Sequence, residues 1–98
     1  MRQKLLGIVE EHRHLAERMA TPEVASDRNA YRDAARKHSS LSDIVERFAA
    51  FQRDEADLTS AEELLSETTD PEMRAMAQEE TERLEPLLAD HEEALKVL

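Results

Sequence analysis

Forty-one consecutive residues, from 27 to 67, contain neither Gly nor Pro. Apolar side chains recur through this stretch at steps of three and four residues, the spacing that places them on one face of a helix. At 1.5 Å per residue, a single helix of this length measures roughly 60 Å. Because a compact domain of this size is only about 30 Å across, the sequence predicts an elongated helical protein.

Glycine, proline and cysteine usage limits the other fold classes. One Gly and three Pro in 98 residues cannot supply the turns of a β-sandwich or barrel, and the lack of Cys excludes a disulfide scaffold. No apolar run approaches the roughly 20 residues that span a bilayer. Glu10, Glu11 and Glu17 argue against a signal peptide. We therefore expect an all-α protein of the cytoplasm, with a single helical domain over residues 1–98.

Two short stops divide the sequence into three long helices. The first is predicted over residues 3–20, the second over 27–67 and the third from Pro71 to near Leu98. Each stop places a Thr or Asp N-cap directly before a Pro, the preferred start of a helix. Pro86 lies inside the third helix and predicts a kink there, because it has no N–H to donate. The predicted inner face of the third helix consists of Met73, Met76, Glu80, Leu84, Leu87, Leu88, His91 and Leu95.

Short connections make neighbouring helices antiparallel, so the expected fold is an elongated helical hairpin or three-helix bundle with one long central helix. The outer helices are predicted to cover opposite halves of the central helix and to overlap near residues 41–48. The predicted core residues are Leu5, Ile8, Leu41, Ile44, Val45, Phe48, Leu88 and Leu95. The end at Thr68 is then a thin two-helix hairpin that we expect to fray first in hydrogen exchange. A long apolar seam left open on the two-helix segments could let the isolated chain self-associate.

Charge is distributed unevenly along the sequence. Residues 1–53 carry ten Lys or Arg and eight Asp or Glu, whereas residues 54–98 carry three and fifteen. Nucleic acid phosphates and anionic membranes repel such an acidic segment, so no membrane contact is expected. A basic protein surface would attract it. The simpler interpretation is that most of these charges only solvate exposed helix faces.

The sequence offers little for catalysis. It has no Cys nucleophile and no Gly-rich phosphate loop, and its Ser residues lack the strand–turn–helix setting of a nucleophile elbow. Glu11 and His14 have the Glu-x-x-His spacing of a di-iron bundle, but such a site needs a second copy of that spacing. We expect His12, His38 and His91 to be helix-contact residues. The prediction is therefore no enzyme, no metal and no cofactor.

Three segments carry a resemblance to a known family. They are Thr21-Pro22-Glu23-Val24-Ala25-Ser26-Asp27, Leu41-Ser42-Asp43-Ile44-Val45 with the charged helix that follows it, and Asp70-Pro71-Glu72-Met73-Arg74-Ala75-Met76. In this order and spacing they resemble the N-terminal domain of bacterial peptide chain release factors. The Asp-Pro-Glu-Met-Arg segment is most similar to the class I factors that read UAA and UAG. The resemblance extends from Leu5 to Leu98.

The resemblance implies a role in translation termination on the ribosome. The family reads stop codons with a Pro-x-Thr tripeptide and triggers peptidyl-tRNA hydrolysis with a Gly-Gly-Gln loop, and neither motif is present in this sequence. The chain would then be a docking module that reaches the stalk base of the large subunit. A second implied partner is the methyltransferase that modifies the Gln of the loop. Asp70, Pro71, Glu72 and Arg74 are the candidate partner-contact residues. The alternative is a free-standing helical coiled-coil adaptor.

Overall fold

The computed structural model describes residues 1–96, and these residues form four helices and no strand. The helices are α1 (Arg2–Met19), α2 (Pro22–Ala25), α3 (Arg28–Glu67) and α4 (Pro71–Leu95). The all-α prediction is confirmed, including the long central helix. The predicted end of the third helix at Leu98 lies outside the described residues. Within residues 1–96, no helix combines the length and the apolar character that a bilayer span requires.

Side-chain caps begin three of the helices at the predicted stops. Thr21 accepts a hydrogen bond from the Val24 amide before Pro22. Asp27 Oδ1 accepts from the amides of residues 29 and 30, both at 3.1 Å, at the start of α3. Asp70 accepts from the Glu72 amide at 3.0 Å before Pro71. These bonds satisfy amides that have no partner within their own helix, so local sequence chemistry fixes the three starts.

Contacts divide the chain into two compact units, with the division inside α3 after Arg47. The first unit, Met1–Arg47, pairs α1 with the first part of α3. Leu5, Leu15 and Ala34 are its buried apolar residues. The second unit, residues 48–96, pairs the rest of α3 with α4. Its buried residues are Phe48, Phe51, Ala61, Ala77, Leu84 and Leu95. The single-domain assignment stays a prediction.

Of the eight predicted core residues, three are buried: Leu5, Phe48 and Leu95. The other five are only half-buried: Ile8, Leu41, Ile44, Val45 and Leu88. Each unit is built on a pair of long helices, and a helix that packs against one neighbour covers only a narrow stripe of its surface. Residues that flank the stripe therefore keep part of their side chain in solvent.

The inner face predicted for α4 was wrong at three positions. Met73, Met76 and Leu87 are 41%, 69% and 37% exposed. The true seam repeats every seven residues through Ala77, Leu84 and half-buried His91, as in a coiled coil. Met76 precedes Ala77 by one position and Leu87 precedes half-buried Leu88, so each points about 100° away from the covered face. Met73 lies in the first turn of α4, where its sulfur is 3.9 Å from the Thr68 hydroxyl at the edge of the hairpin.

Pro86 lies within α4, and the helix continues through it to Leu95. Its nitrogen has no hydrogen, so the carbonyl of Glu82 lacks the usual partner in the helix. Both Glu82 and Pro86 are exposed. Water can therefore solvate the free carbonyl, which explains how the helix tolerates the proline. The predicted kink stays a prediction.

Gly7 lies on the solvent side of α1 and has no structural need to be glycine. Its φ is not positive, and a Cβ added there would meet nothing within 4 Å. We expect Gly7→Ala to raise the free energy of unfolding by about 0.5–1 kcal/mol, because it removes backbone freedom from the unfolded chain. Thermal unfolding followed by circular dichroism measures the gain. The matched control is Ala16→Gly at another exposed position of α1, which should lose a similar amount. Equal stabilities for Gly7→Ala and the wild type would contradict the prediction.

Candidate functional site

Histidine contacts join the helices of each unit. In the first unit the rings of His12 and His38 stack with centroids 3.9 Å apart. The Ser42 hydroxyl donates to the carbonyl of His38 at 2.9 Å, so His12 Nε2, at 3.0 Å from Ser42 Oγ, is the donor of that second bond. Close by, Lys37 Nζ lies 3.3 Å from a carboxylate oxygen of Glu11. These rings and charges hold α1 on α3.

In the second unit His91 joins α4 to α3. Its Nε2 lies 3.2 Å from Asp54 Oδ2, and both side chains are largely shielded from solvent. The ring of Phe51 meets the His91 ring edge-on at a centroid distance of 6.4 Å. All three predicted contact histidines therefore lie between helices. Among residues 1–96, no three His, Asp or Glu side chains converge as a metal site would require.

The four candidate partner-contact residues come together at the turn between α3 and α4. Asp70 caps α4, Pro71 is its first residue, and Glu72 is an exposed carboxylate in its first turn. The Thr68 hydroxyl accepts from the amide of Asp70 at 3.2 Å. The turn is therefore built largely by the side chains that the sequence had suggested for partner contact, and Glu72 is the member least engaged in building it.

Arg74 fastens the two helices at this turn. Its Nη1 donates to the carbonyl of Leu65 at 2.6 Å and to that of Thr68 at 3.1 Å. Leu65 lies in the last turn of α3 and Thr68 directly follows it, where carbonyls lack helical partners and a positive charge is favourable. The guanidinium thus serves the hairpin itself.

We expect Arg74→Met to lower the free energy of local unfolding of the turn by about 1 kcal/mol, because two charge-assisted hydrogen bonds in a solvent-exposed setting are lost. Hydrogen exchange of the amides of residues 68–76 should accelerate about fivefold, the factor equivalent to that energy. Arg83→Met is the control, since Arg83 bonds Glu80 on the same helix. Unchanged exchange at the turn in Arg74→Met would show that these bonds contribute nothing.

We name residues 57–80 the tip: the end of α3, the turn and the start of α4. The tip carries eight carboxylates and one cation, Arg74. A shallow open groove of about 430 Å³ lies between its two helices. The residues that line this groove are Asp57, Ser60, Ala61, Leu64, Met76, Ala77 and Glu80.

One arginine compensates part of the acidic rim of the groove. Arg83 donates to Glu80 through Nε at 3.2 Å and also through Nη2, and this hydrogen bond holds the pKa of the Glu80 carboxyl below its ordinary value of 4.5. The pKa of Arg83 is raised, first by the bond to Glu80 and then by the Glu80 charge, with smaller effects of Asp54 and Asp57. The guanidinium bonds one carboxylate and acts on two others only through their charge, so the rim stays negative.

Sequence reasoning missed the groove. A signal for it was present: Ala61 and Ala77 lie at nearly equal distances before and after the turn. In an antiparallel hairpin such residues face each other, and two small side chains leave space between the helices. Met76, assigned to the inner face, borders that space and is mostly exposed.

Comparison with known proteins shows which protein family this chain is similar to. Residues 8–98 match the PCRF domain family. The chain is 36% identical over its whole length to peptide chain release factor 1 of Symbiobacterium thermophilum, covering 28% of that protein. It is 33% identical over 95 residues to peptide chain release factor 1 of Chlorobaculum tepidum, which is 97% of this chain and 27% of the relative.

A third relative gives the same picture. Peptide chain release factor 1 of Lacticaseibacillus casei is 32% identical over 96 residues, which cover 98% of this chain and 27% of the relative. The chain thus spans little more than a quarter of the length of these relatives. No solved structure is detectably similar to it.

Proposed function

The chain belongs to the PCRF domain family, and from that premise we propose that it is the N-terminal domain of a peptide chain release factor that acts in translation termination. The observation that carries the proposal is the similarity to release factor 1 along all 98 residues. The sequence segments that resemble the family include the capped starts of α2 and α4. Stop-codon reading and peptidyl-tRNA hydrolysis would belong to other parts of such a factor. The domain itself would catalyse nothing.

The proposed task of the domain is docking to the ribosome in the cytoplasm. The tip, with eight carboxylates against one cation, would be repelled by ribosomal RNA and attracted by basic ribosomal protein. This electrostatic argument supports a protein contact at the stalk base of the large subunit. The methyltransferase that modifies the Gly-Gly-Gln loop is a second proposed partner.

Co-sedimentation with bacterial ribosomes tests the docking proposal. The chain should pellet with ribosomes and with isolated large subunits, and should stay in the supernatant with small subunits. Large subunits depleted of the stalk-base protein serve as the control and should lose the chain. Retention of the chain by small subunits alone, or by no ribosomal particle, would overturn the proposal.

Self-association of the isolated chain is a separate part of the proposal. Leu6 and Tyr31 are among its exposed large apolar side chains, at 49% and 42% exposure, and both lie outside the tip. Light scattering at high concentration should give a mass above that of the 11.2 kDa chain if such residues pair between copies. A clean monomer mass would remove self-association from the account.

A further inference from the structure

At the groove in the tip, α3 and α4 of the second unit leave space between them. Its floor is formed by Ala61 and Ala77, which are 6% and 3% exposed, with half-buried Leu64 beside them. One side is formed by Met76, which is 69% exposed, the highest value among the exposed large apolar residues of the described chain. Methionine is flexible and polarizable, so it adapts to apolar partners of different shapes. The groove thus offers an apolar floor and an adaptable wall to something from solution.

The charged residues around the groove determine which charge a bound partner must carry. Asp57 and Glu80 lie on its rim. The one cation of the tip, Arg74, is held by the carbonyls of Leu65 and Thr68 and so is turned to the end of α3. Arg83 bonds Glu80, and its charge acts on Asp54 and Asp57 only at longer range. The occupant must therefore bring positive charge to be attracted.

Three classes of binding partner are poorly suited to a groove with an apolar floor and an acidic rim. Nucleic acid and anionic membranes carry the same sign of charge as the rim. A second copy of this chain would bring another acidic tip, since its formal net charge is −10. A segment with an apolar stripe flanked by Lys or Arg satisfies both the floor and the rim.

We propose that the groove binds a basic amphipathic helix of a partner protein. An apolar side chain of that helix lies against Met76 over the two alanines, and a neighbouring Lys or Arg pairs with Asp57. This is the helix-in-groove mode of recognition. The inference rests on the proposed docking function and specifies the kind of structure that the domain docks to.

Fluorescence anisotropy with a defined peptide tests the inference. The peptide is a labelled four-turn helix of Leu and Lys with Leu on one face, and the comparison is a scrambled peptide of the same composition and charge. At about 0.15 M salt, where exposed charges are screened beyond roughly 8 Å, the amphipathic peptide should bind at least tenfold more tightly than the scrambled one. Equal affinities would overturn the proposal, because charge alone would then explain binding.

Matched variants locate the binding on the chain. Met76→Ser should weaken amphipathic peptide binding about tenfold, and Asp57→Asn about threefold. Leu87→Ser and Glu85→Gln, at exposed positions of α4 outside the groove, also replace an apolar side chain by serine and a carboxylate by its amide, and should leave binding unchanged. Both altered groove residues are exposed, and circular dichroism checks that the helices are kept. Equal losses in groove and control variants would overturn the proposal, as would a dimer whose mass falls to that of a monomer in Met76→Ser.

Ribosome co-sedimentation separates this inference from the proposed function. If the wild type and Met76→Ser pellet equally with large subunits while the peptide does not discriminate, the groove proposal fails and the docking function stands. If the peptide binds the groove as expected but the chain never pellets with ribosomes, the docking function fails and the groove proposal stands.

Discussion

Replacing Leu84 by alanine is expected to lower the free energy of unfolding by about 2–5 kcal/mol. Leu84 is fully buried, with 0% of its surface exposed, at the centre of the seam of α4. Alanine removes the apolar contacts and leaves a cavity that a pair of helices can close only in part. The total free energy of unfolding of a domain of this size is roughly 5–15 kcal/mol, so the loss is a large fraction of its stability.

Denaturant unfolding followed by circular dichroism measures this loss. The control is Leu87→Ala, three residues further along α4, where the leucine is 37% exposed. The same chemical change there should cost about 1 kcal/mol, because more than a third of the leucine already faces water and no enclosed cavity is left. Similar losses for the two variants would show that the seam does not pass through Leu84.

Replacing Pro86 by alanine is expected to raise the free energy of unfolding by about 2 kcal/mol. Proline in a helix interior is roughly 3 kcal/mol less favourable than alanine, and part of that gain is offset because proline restricts the unfolded chain. The new amide can donate to the carbonyl of Glu82. Pro86 is exposed, so the substitution removes no buried contact.

Pro71→Ala is the matched control for this gain. Pro71 occupies the first position of α4, where its missing N–H has no helical partner in any case. The same substitution there should leave stability unchanged or slightly lower. Thermal unfolding of both variants makes the comparison. A loss of stability in Pro86→Ala would mean that the backbone at Pro86 departs from helical geometry in a way the packing of α4 requires.

Local chemistry made the helix boundaries predictable. Thr21-Pro22 and Asp70-Pro71 each combine a capping side chain with a proline at the first helical position, and the structure begins α2 and α4 there. The end of α3 at Glu67 and its start after Asp27 also follow from the sequence within one residue. These features depend on a few adjacent residues, so they can be predicted without knowledge of the packing.

The packing faces were predictable only in part. Leu5, Phe48 and Leu95 were assigned to the core and are buried, whereas Met73, Met76 and Leu87 were placed on a face that they do not occupy. The assignment followed apolar residue types along α4, but the seam there includes Ala77, whose small size gives little signal. Which face of a helix is buried depends on its partner, and one residue of misalignment rotates the face by about 100°.

The contacts at the candidate site could not be predicted from the sequence and were seen only in the structure. Arg74 was a candidate partner-contact residue, which stays a prediction, and the structure shows that it bonds the carbonyls of Leu65 and Thr68. Such a contact joins two helices across a turn, and spacing along one helix cannot reveal it. The groove likewise arises because two alanines face each other across the hairpin. The acidic character of the tip, in contrast, is a property of composition and was evident from the sequence.

A termination assay tests the central claim most directly. In a reconstituted bacterial system that releases peptide at a UAA codon, an excess of this chain is added to a limiting amount of intact release factor 1. We expect the chain to slow peptide release in proportion to its concentration by competing for the docking position, and to release no peptide when added alone. Unchanged release at a large excess of the chain, or peptide release by the chain itself, would contradict the account.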